Sequence, residues 1–315
     1  MFGFLKNHIC PIGIDICDDR IKLAQLEKNT NGVSLLASSS QERPSEILLG
    51  SSQWQKWLID TVKSLAGQGT FKGKDVIASV PAADIFIDHL KTPKVPKNKF
   101  DETILSRIKQ RLPYEPEQAI LQYINGDEDN ILVMVMQREK IDRHLAVYEQ
   151  ANLHIQSLGV WPVAMAKTYT RFFGRRKTDQ TSIVLIIDVE PNNSSVIICR
   201  HCTVLFARSI PIGNSSFTDE ETVKKLVLEL GGCLRHFGSL YRKPKIERMI
   251  FLSSDNITPI IQNTYASIAR QMELPAQMGN CMAAVNLSSQ CSEVERRGCN
   301  FSWATAFGLS LSSVN

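Results

Sequence analysis

Two stretches of the chain carry the same alternation of apolar runs and short polar turns. In residues 183–213, IVLIIDVEPNNSSVIICRHCTVLFARSIPIG, an apolar run ends at Asp188, a polar turn follows, and residues 195–199 form a second run. A tight turn at Arg200 and His201 leads to a third run over residues 204–210. Short apolar runs bounded by turn residues are the pattern of strands buried on both faces. Residues 12–40 repeat the order: a strand ending at Asp15, a five-residue turn, a strand over 21–27, a turn at 29–32 and a strand over 33–37. Two copies of strand, aspartate, turn, strand, turn, strand predict two lobes built on one unit.

The segments between fill in a mixed α/β chain. Trp54, Trp57, Leu58, Val62 and Leu65, with Thr61, share one face of a helix over 54–65. Strands are predicted over 75–80, closed by Pro81, and over 85–90. An extended connector through Pro93 and Pro96 precedes a helix over 100–112, stopped by Pro113. Strands over 119–124 and 131–135 flank an acidic turn at 126–129, and a helix over 140–152 precedes a strand over 155–161. Pro162 opens the next helix, whose end carries Arg171, Arg175, Arg176 and Lys177, cations suited to a helix C-terminus and to a linker between lobes. Thr218 and Glu221 fit a capping box for a helix bearing Val223, Leu226, Val227, Leu230, Leu234 and Phe237. A strand over 247–252, a turn at 253–256, a helix capped by Thr258 and Pro259 that runs to about Met272, and a short extended segment at 274–278 follow. Residues 281–298 read as loop and 303–311 as a closing apolar helix. The expected organisation is a first lobe beginning over 1–81, an inserted α/β subdomain over 82–158, a return helix and linker over 159–180, a second lobe over 181–300 and a closing helix over 301–315.

Composition narrows the function classes. With 315 residues, 43% hydrophobic and 22% charged, the chain can bury more than one core. A net charge of +4, without a basic block or an aromatic-rich RNA motif, argues against nucleic acid. No apolar run reaches the ~20 residues of a membrane helix. The N-terminal MFGFLKNH is too short for a signal peptide, and Phe2, Phe4 and Leu5 are expected to pack on the first lobe or lie flexible. The chain therefore reads as cytoplasmic, its eight cysteines as reduced thiols. Cys199-Arg200-His201-Cys202 is a CxxC, but Cys281, Cys291 and Cys299 supply no second pair for zinc, and a strand turn does not activate a redox thiol. The histidines show no metal spacing, and no serine sits in a nucleophile elbow.

Several segments in order carry a family resemblance. They are MFGFLKN followed by IGIDI, Ile21-Lys22-Leu23, Ala78-Ser79-Val80-Pro81, Arg111-Leu112-Pro113-Tyr114-Glu115-Pro116-Glu117, Arg208-Ser209-Ile210-Pro211-Ile212-Gly213 and Ala304-Thr305-Ala306-Phe307-Gly308-Leu309. Together they resemble the type IV pilus assembly protein PilM family of the actin-like superfamily, on the branch that includes FtsA. The resemblance spans almost the whole chain. It implies an actin-like (RNase H-like) two-lobe fold with an inserted subdomain and a nucleotide cleft between the lobes. It also implies a cytoplasmic protein held at the inner membrane through the N-terminal tail of a PilN-like partner, alongside other platform components. Self-association is left open, and pilus assembly, type II secretion and competence (DNA uptake) are not separated.

The implied cofactors are ATP and Mg, with Asp15 and Asp188 toward the metal, Lys22 toward phosphate, and Glu229, Ser253 and Ser254 lining the rest. The turns that would cradle phosphate depart from the family pattern. Cys17 replaces a glycine, Asp18 and Asp19 add negative charge, Glu190 replaces a second glycine, Pro191 removes an N–H donor, and Ser253-Ser254-Asp255-Asn256 contains no glycine. Two like charges about 5 Å apart repel by roughly 3 kcal/mol at an effective dielectric near 20. The preferred reading is a non-catalytic scaffold that captures partner segments in binding grooves: the cleft between the first lobe and the insertion, and helix 100–112 with the strands beside it. The alternative is a working ATP-binding switch in the same machine. A sugar or acetate kinase would need glycine-rich turns and a catalytic carboxylate pocket, and neither is present.

Overall fold

The structure, a computed structural model, describes residues 8–30, 32–68, 70–242, 244–254, 256–289, 291 and 301–312. The expectations for Phe2, Phe4 and Leu5, for Asp255 and for Cys299 lie outside these residues. Strands β1 (His8–Ile16), β2 (Arg20–Asn29) and β3 (Gly32–Glu42) run antiparallel through two hairpins. Helix α1 (Ser52–Gly67) then returns the chain to β4 (Asp75–Ser79), parallel to β1. The Ser51 side chain accepts the Trp54 N–H and starts α1, which buries Trp54, Leu58, Thr61, Val62 and Leu65.

The insertion follows as β5 (Phe86–Lys91), α2 (Phe100–Ile108), β6 (Ala119–Asn125), β7 (Asn130–Gln137) and α3 (Arg138–Gln150). Strand β8 (His154–Gly159) rejoins the first sheet beside β4, and α4 (Trp161–Phe172) leads toward the second lobe. There β9 (Ile183–Val189), β10 (Ser194–Arg200) and β11 (Thr203–Ile210) repeat the hairpins. Helix α5 (Glu220–Leu240), β12 (Ile246–Leu252), α6 (Pro259–Gln271) and β13 (Ala276–Gly279) complete that sheet. The short α7 (Cys281–Ala284) and β14 (Asn286–Leu287), then α8 (Ala304–Ser310), close the chain over the first lobe.

The three sheets run β14-β3-β2-β1-β4-β8, β11-β10-β9-β12-β13 and β5-β7-β6. The order β3-β2-β1-β4-β8 matches β11-β10-β9-β12-β13 strand for strand, so the repeated sequence pattern corresponds to a repeated sheet. Helices α1 and α3 cover one face of the first sheet, whose other face packs against Trp303 and Phe307. Phe237, Leu230 and Tyr265 of α5 and α6 cover the outer face of the second sheet. Helix α4 joins the lobes: Trp161, Met165 and Tyr169 share one core with Val184, Ile186 and Ile197 of the second sheet and Met134 of the insertion. The insertion also rests on the second lobe. His89 stacks on Phe206 with 4.4 Å between ring centroids, and its Nε2 accepts the Ala207 N–H at 3.2 Å. Burial and the neighbouring His236 lower His89 to about 3, which keeps that nitrogen free to accept.

Several boundaries differ from the sequence reading. Trp161 starts α4 rather than ending a strand, and helix 100–112 gives way after Ile108 to a 3₁₀ turn over Lys109–Arg111. Asp219, not Thr218, caps α5, because its carboxylate accepts the N–H groups of Glu221 and Thr222. The turn between β10 and β11 centres on His201, which takes a φ of 51. Residues 281–298 were expected to be loop, yet Asn280 caps α7 and β14 adds to the first sheet beside β3. Four-residue and two-residue elements carry too little periodicity to stand out from loop.

Helix α8 lies backbone to backbone against its neighbours. A β-carbon at Gly308 would overlap the Ala164 carbonyl, and one at Gly13 would overlap the Ala306 carbonyl. Gly308→Ala is therefore expected to cost about 1–3 kcal/mol, the usual penalty of overpacking. Gly238→Ala, in α5 with open space around it, is expected to be neutral or to gain up to about 1 kcal/mol. Urea denaturation of both variants checks the contrast, and equal effects would contradict the close packing of α8.

Candidate nucleotide cleft and partner groove

Antiparallel register sets the centre of the cleft, because Asp15 of β1 and Lys22 of β2 are direct cross-strand partners. The Lys22 ammonium, 1% exposed, lies 2.9 Å from Asp15 Oδ2 and donates to the Ser302 carbonyl at 3.1 Å. Across the lobe boundary it donates to Glu190 Oε1 at 3.3 Å. The other Asp15 oxygen accepts the Ser79 hydroxyl at 2.9 Å, and the Cys17 thiol donates to Oδ2 at 3.3 Å. Burial alone would favour the neutral amine, but Asp15, with Glu190 and Asp188, outweighs it and holds Lys22 well above the usual lysine range. Burial, with Asp15 and Glu190 beside it, pushes the Cys17 thiol well up, so it stays protonated.

The second-lobe turn supplies the remaining acids. Asp188 is 3% exposed, and its Oδ1 has no hydrogen-bond partner among the described residues. Burial, reinforced by Glu190 and Asp15 and opposed by Lys22, raises Asp188 to about 7. Glu190 is likewise raised by burial, against the pull of Lys22. Beside them Arg20 is tied down: its Nε donates to Asp19 at 2.9 Å, and its guanidinium lies 3.9 Å from the centre of the Phe301 ring.

Of the residues expected at this site, Asp15, Lys22 and Asp188 come together. Ser253 follows β12 next to Asp188 in register, with a buried hydroxyl that has no partner among the described residues, and Ser254 is next in the chain. Glu229 does not join them. It sits on α5 and pairs with Arg208 of β11 at 2.9 Å, both partly exposed. Cys17, Glu190, Ser79 and Ser302 belong to the cluster without having been assigned to it from sequence. Cys17 and Glu190 stand two residues past Asp15 and Asp188, and the sequence marks both as replaced turn glycines without giving them a partner. Ser302 is 280 residues from Lys22 and left no local signal.

These residues do not fit a magnesium–nucleotide group. Phosphate turns work through free backbone N–H donors. Here the Cys17 N–H donates to the Arg20 carbonyl at 2.9 Å, the Glu190 N–H donates to the Asn193 carbonyl at 2.9 Å, and Pro191 has none. Asp15, Cys17 and Glu190 offer ligand atoms within 4.8 Å of one another. The Lys22 ammonium, however, already stands between the two carboxylates, and a magnesium ion there would meet a like charge.

A second concavity opens between the first sheet and the insertion. The outer strands of two sheets, β6 and β8, line one groove of about 540 Å³, floored by Val163 and Ala164 of α4 and ended by Lys167. Val80, Ile120, Met134 and Met136 line an adjoining apolar recess. Among the described residues, no helix is long and apolar enough to cross a membrane.

A family model described as type IV pilus assembly protein PilM matches residues 13–225, more than half of the chain. The chain belongs to the PilM family. Among solved structures, a PilM-PilN type IV pilus biogenesis complex is similar with a TM-score of 0.75 and 17% identity, covering 96% of this chain and 97% of that one. The ethanolamine utilization protein EutJ from Carboxydothermus hydrogenoformans follows with a TM-score of 0.52 and 11% identity, covering 98% and 91%. Among curated proteins, none matches the chain by sequence. The fold is that of the actin-like proteins. Within that family the cleft of this chain is filled with its own charged side chains.

The cluster predicts a pH dependence. The Asp188 carboxyl rises from 3.8 to about 7 on folding, so the folded state holds its proton more tightly. Stability is fully present below the lower value and falls as pH rises toward the upper one. Asp188→Asn cannot ionise, so its stability advantage over the wild type should grow by on the order of 2 kcal/mol between about pH 5 and about pH 8. Thermal unfolding at both pH values measures this, and a constant offset would contradict it.

Proposed function

We propose that the chain works as a cytoplasmic scaffold at the inner-membrane platform of a type IV pilus or type II secretion-like machine. It captures an extended segment of a PilN-like membrane protein and does not hydrolyse ATP. The observation that carries this reading is the pair of unpaired sheet edges, β6 and β8, facing one groove with apolar recesses. An extended segment laid there can bond its backbone to an edge strand while alternate side chains enter the recess. Most of the groove lining is apolar, with Lys167 Nζ donating to the Ser312 hydroxyl at 2.8 Å at one end, and such a lining supports binding.

The family resemblance supplies the partner's class, and the similar PilM-PilN complex supports it. In the cleft, spent N–H donors and an engaged Lys22 weigh against the working ATP switch.

A synthetic peptide from the N-terminus of a PilN-like neighbour tests the groove. Val163→Asp places a charge on its floor and is expected to weaken the peptide by at least tenfold, about 1.4 kcal/mol, with little change in unfolding midpoint. Leu228→Asp, on the exposed face of α5, should leave affinity unchanged. Absence of peptide binding by the wild type, or equal binding by Val163→Asp, would refute the groove.

A further inference from the structure

We infer that Glu190 is a built-in anion: its carboxylate, carried by the second-lobe hairpin, occupies the Lys22 ammonium, fastens the two lobes together and excludes phosphate from the cleft. The inference rests on the reading that the chain does not hydrolyse ATP and is independent of the groove.

Three observations carry it. Lys22 and Glu190 are 168 residues apart and belong to equivalent hairpins of the two lobes, so their 3.3 Å contact is a tie across the lobe boundary. The ammonium's other neighbours, Asp15 Oδ2 and the Ser302 carbonyl, leave no side of it turned to solvent, as its 1% exposure shows.

The Glu190 backbone, second, is pinned on both sides. Its N–H donates to the Asn193 carbonyl, and its carbonyl accepts the Asn214 N–H at 2.9 Å. Glycine is required opposite, because a β-carbon at Gly213 would overlap the Glu190 and Pro191 carbonyls. The carboxylate is therefore presented by a fixed turn, not by a loose loop.

Third, charge at the site is already in excess on the acidic side. Asp15 and Glu190 both contact a single ammonium, at 2.9 and 3.3 Å. An incoming phosphate would add negative charge and would have to displace Glu190 to reach Lys22. Removing the Glu190 carboxylate frees one face of the ammonium and takes away the nearest repelling charge.

The test is calorimetric titration of the full chain with inorganic pyrophosphate, with and without magnesium. The wild type is expected to show no saturable heat. Glu190→Gly should bind at least tenfold tighter than the wild-type limit, and adding Lys22→Met should abolish that gain. Glu190→Gln keeps the shape of the side chain and removes its charge. It should gain binding in the same direction, and it decides the matter if the glycine variant does not fold. Saturable wild-type binding that Lys22→Met removes would overturn the inference, as would folded Gly and Gln variants that gain nothing. Partner-peptide affinity in the same variants should match the wild type. Its loss alongside the expected pyrophosphate results would count against the groove and leave the built-in anion standing.

Discussion

A buried ammonium must be surrounded by acceptors, and the carboxylates that surround Lys22 would be costly to bury without it. That mutual requirement organises the middle of the molecule. Asp15 faces Lys22 because two antiparallel strands put them in register, and Glu190 reaches it because the second lobe repeats the same hairpin. Ser302 closes the far side just ahead of α8, so the last helix is tied into the same knot. Strand register, lobe closure and the placement of the C-terminal helix thus meet at one side chain.

Other contacts work in the same direction. Helix α4 belongs to the core of both lobes, and the insertion docks on β11 through His89 and Phe206. Lys91 and Asn130 add bonds from the insertion to the Leu240 carbonyl at the end of α5. Each tie crosses between the insertion or one lobe and the other lobe. The groove between β6 and β8 is concave and built from two sheet edges, as the proposed scaffold requires.

Much of this was legible in the sequence. The two apolar-run motifs ending at Asp15 and Asp188 predicted the duplicated sheet, and the cap at Thr258 marks a real helix start. The losses of glycine at Cys17 and Glu190 were visible as departures from a family pattern. Sequence could not say that Glu190 would turn inward to Lys22, because that depends on how two lobes meet across 168 residues. Glu229 was carried into the site by its place on a helix, yet its register on α5 brings it to Arg208 instead. The groove was foreseen as a cleft beside the insertion, but its lining awaited knowledge of which strands end each sheet. Short elements such as α7 and β14 have no pattern long enough to read, and their pairing with β3 is a tertiary fact.

The most direct single measurement is hydrogen–deuterium exchange on the wild-type chain, with Mg-ATP and with the partner peptide in parallel. The account predicts that the peptide slows exchange in β6 and β8, while Mg-ATP leaves the hairpins around Asp15–Lys22 and Asp188–Asn193 unchanged. Protection of those hairpins by Mg-ATP, with β6 and β8 unaffected by the peptide, would contradict it and restore the nucleotide switch.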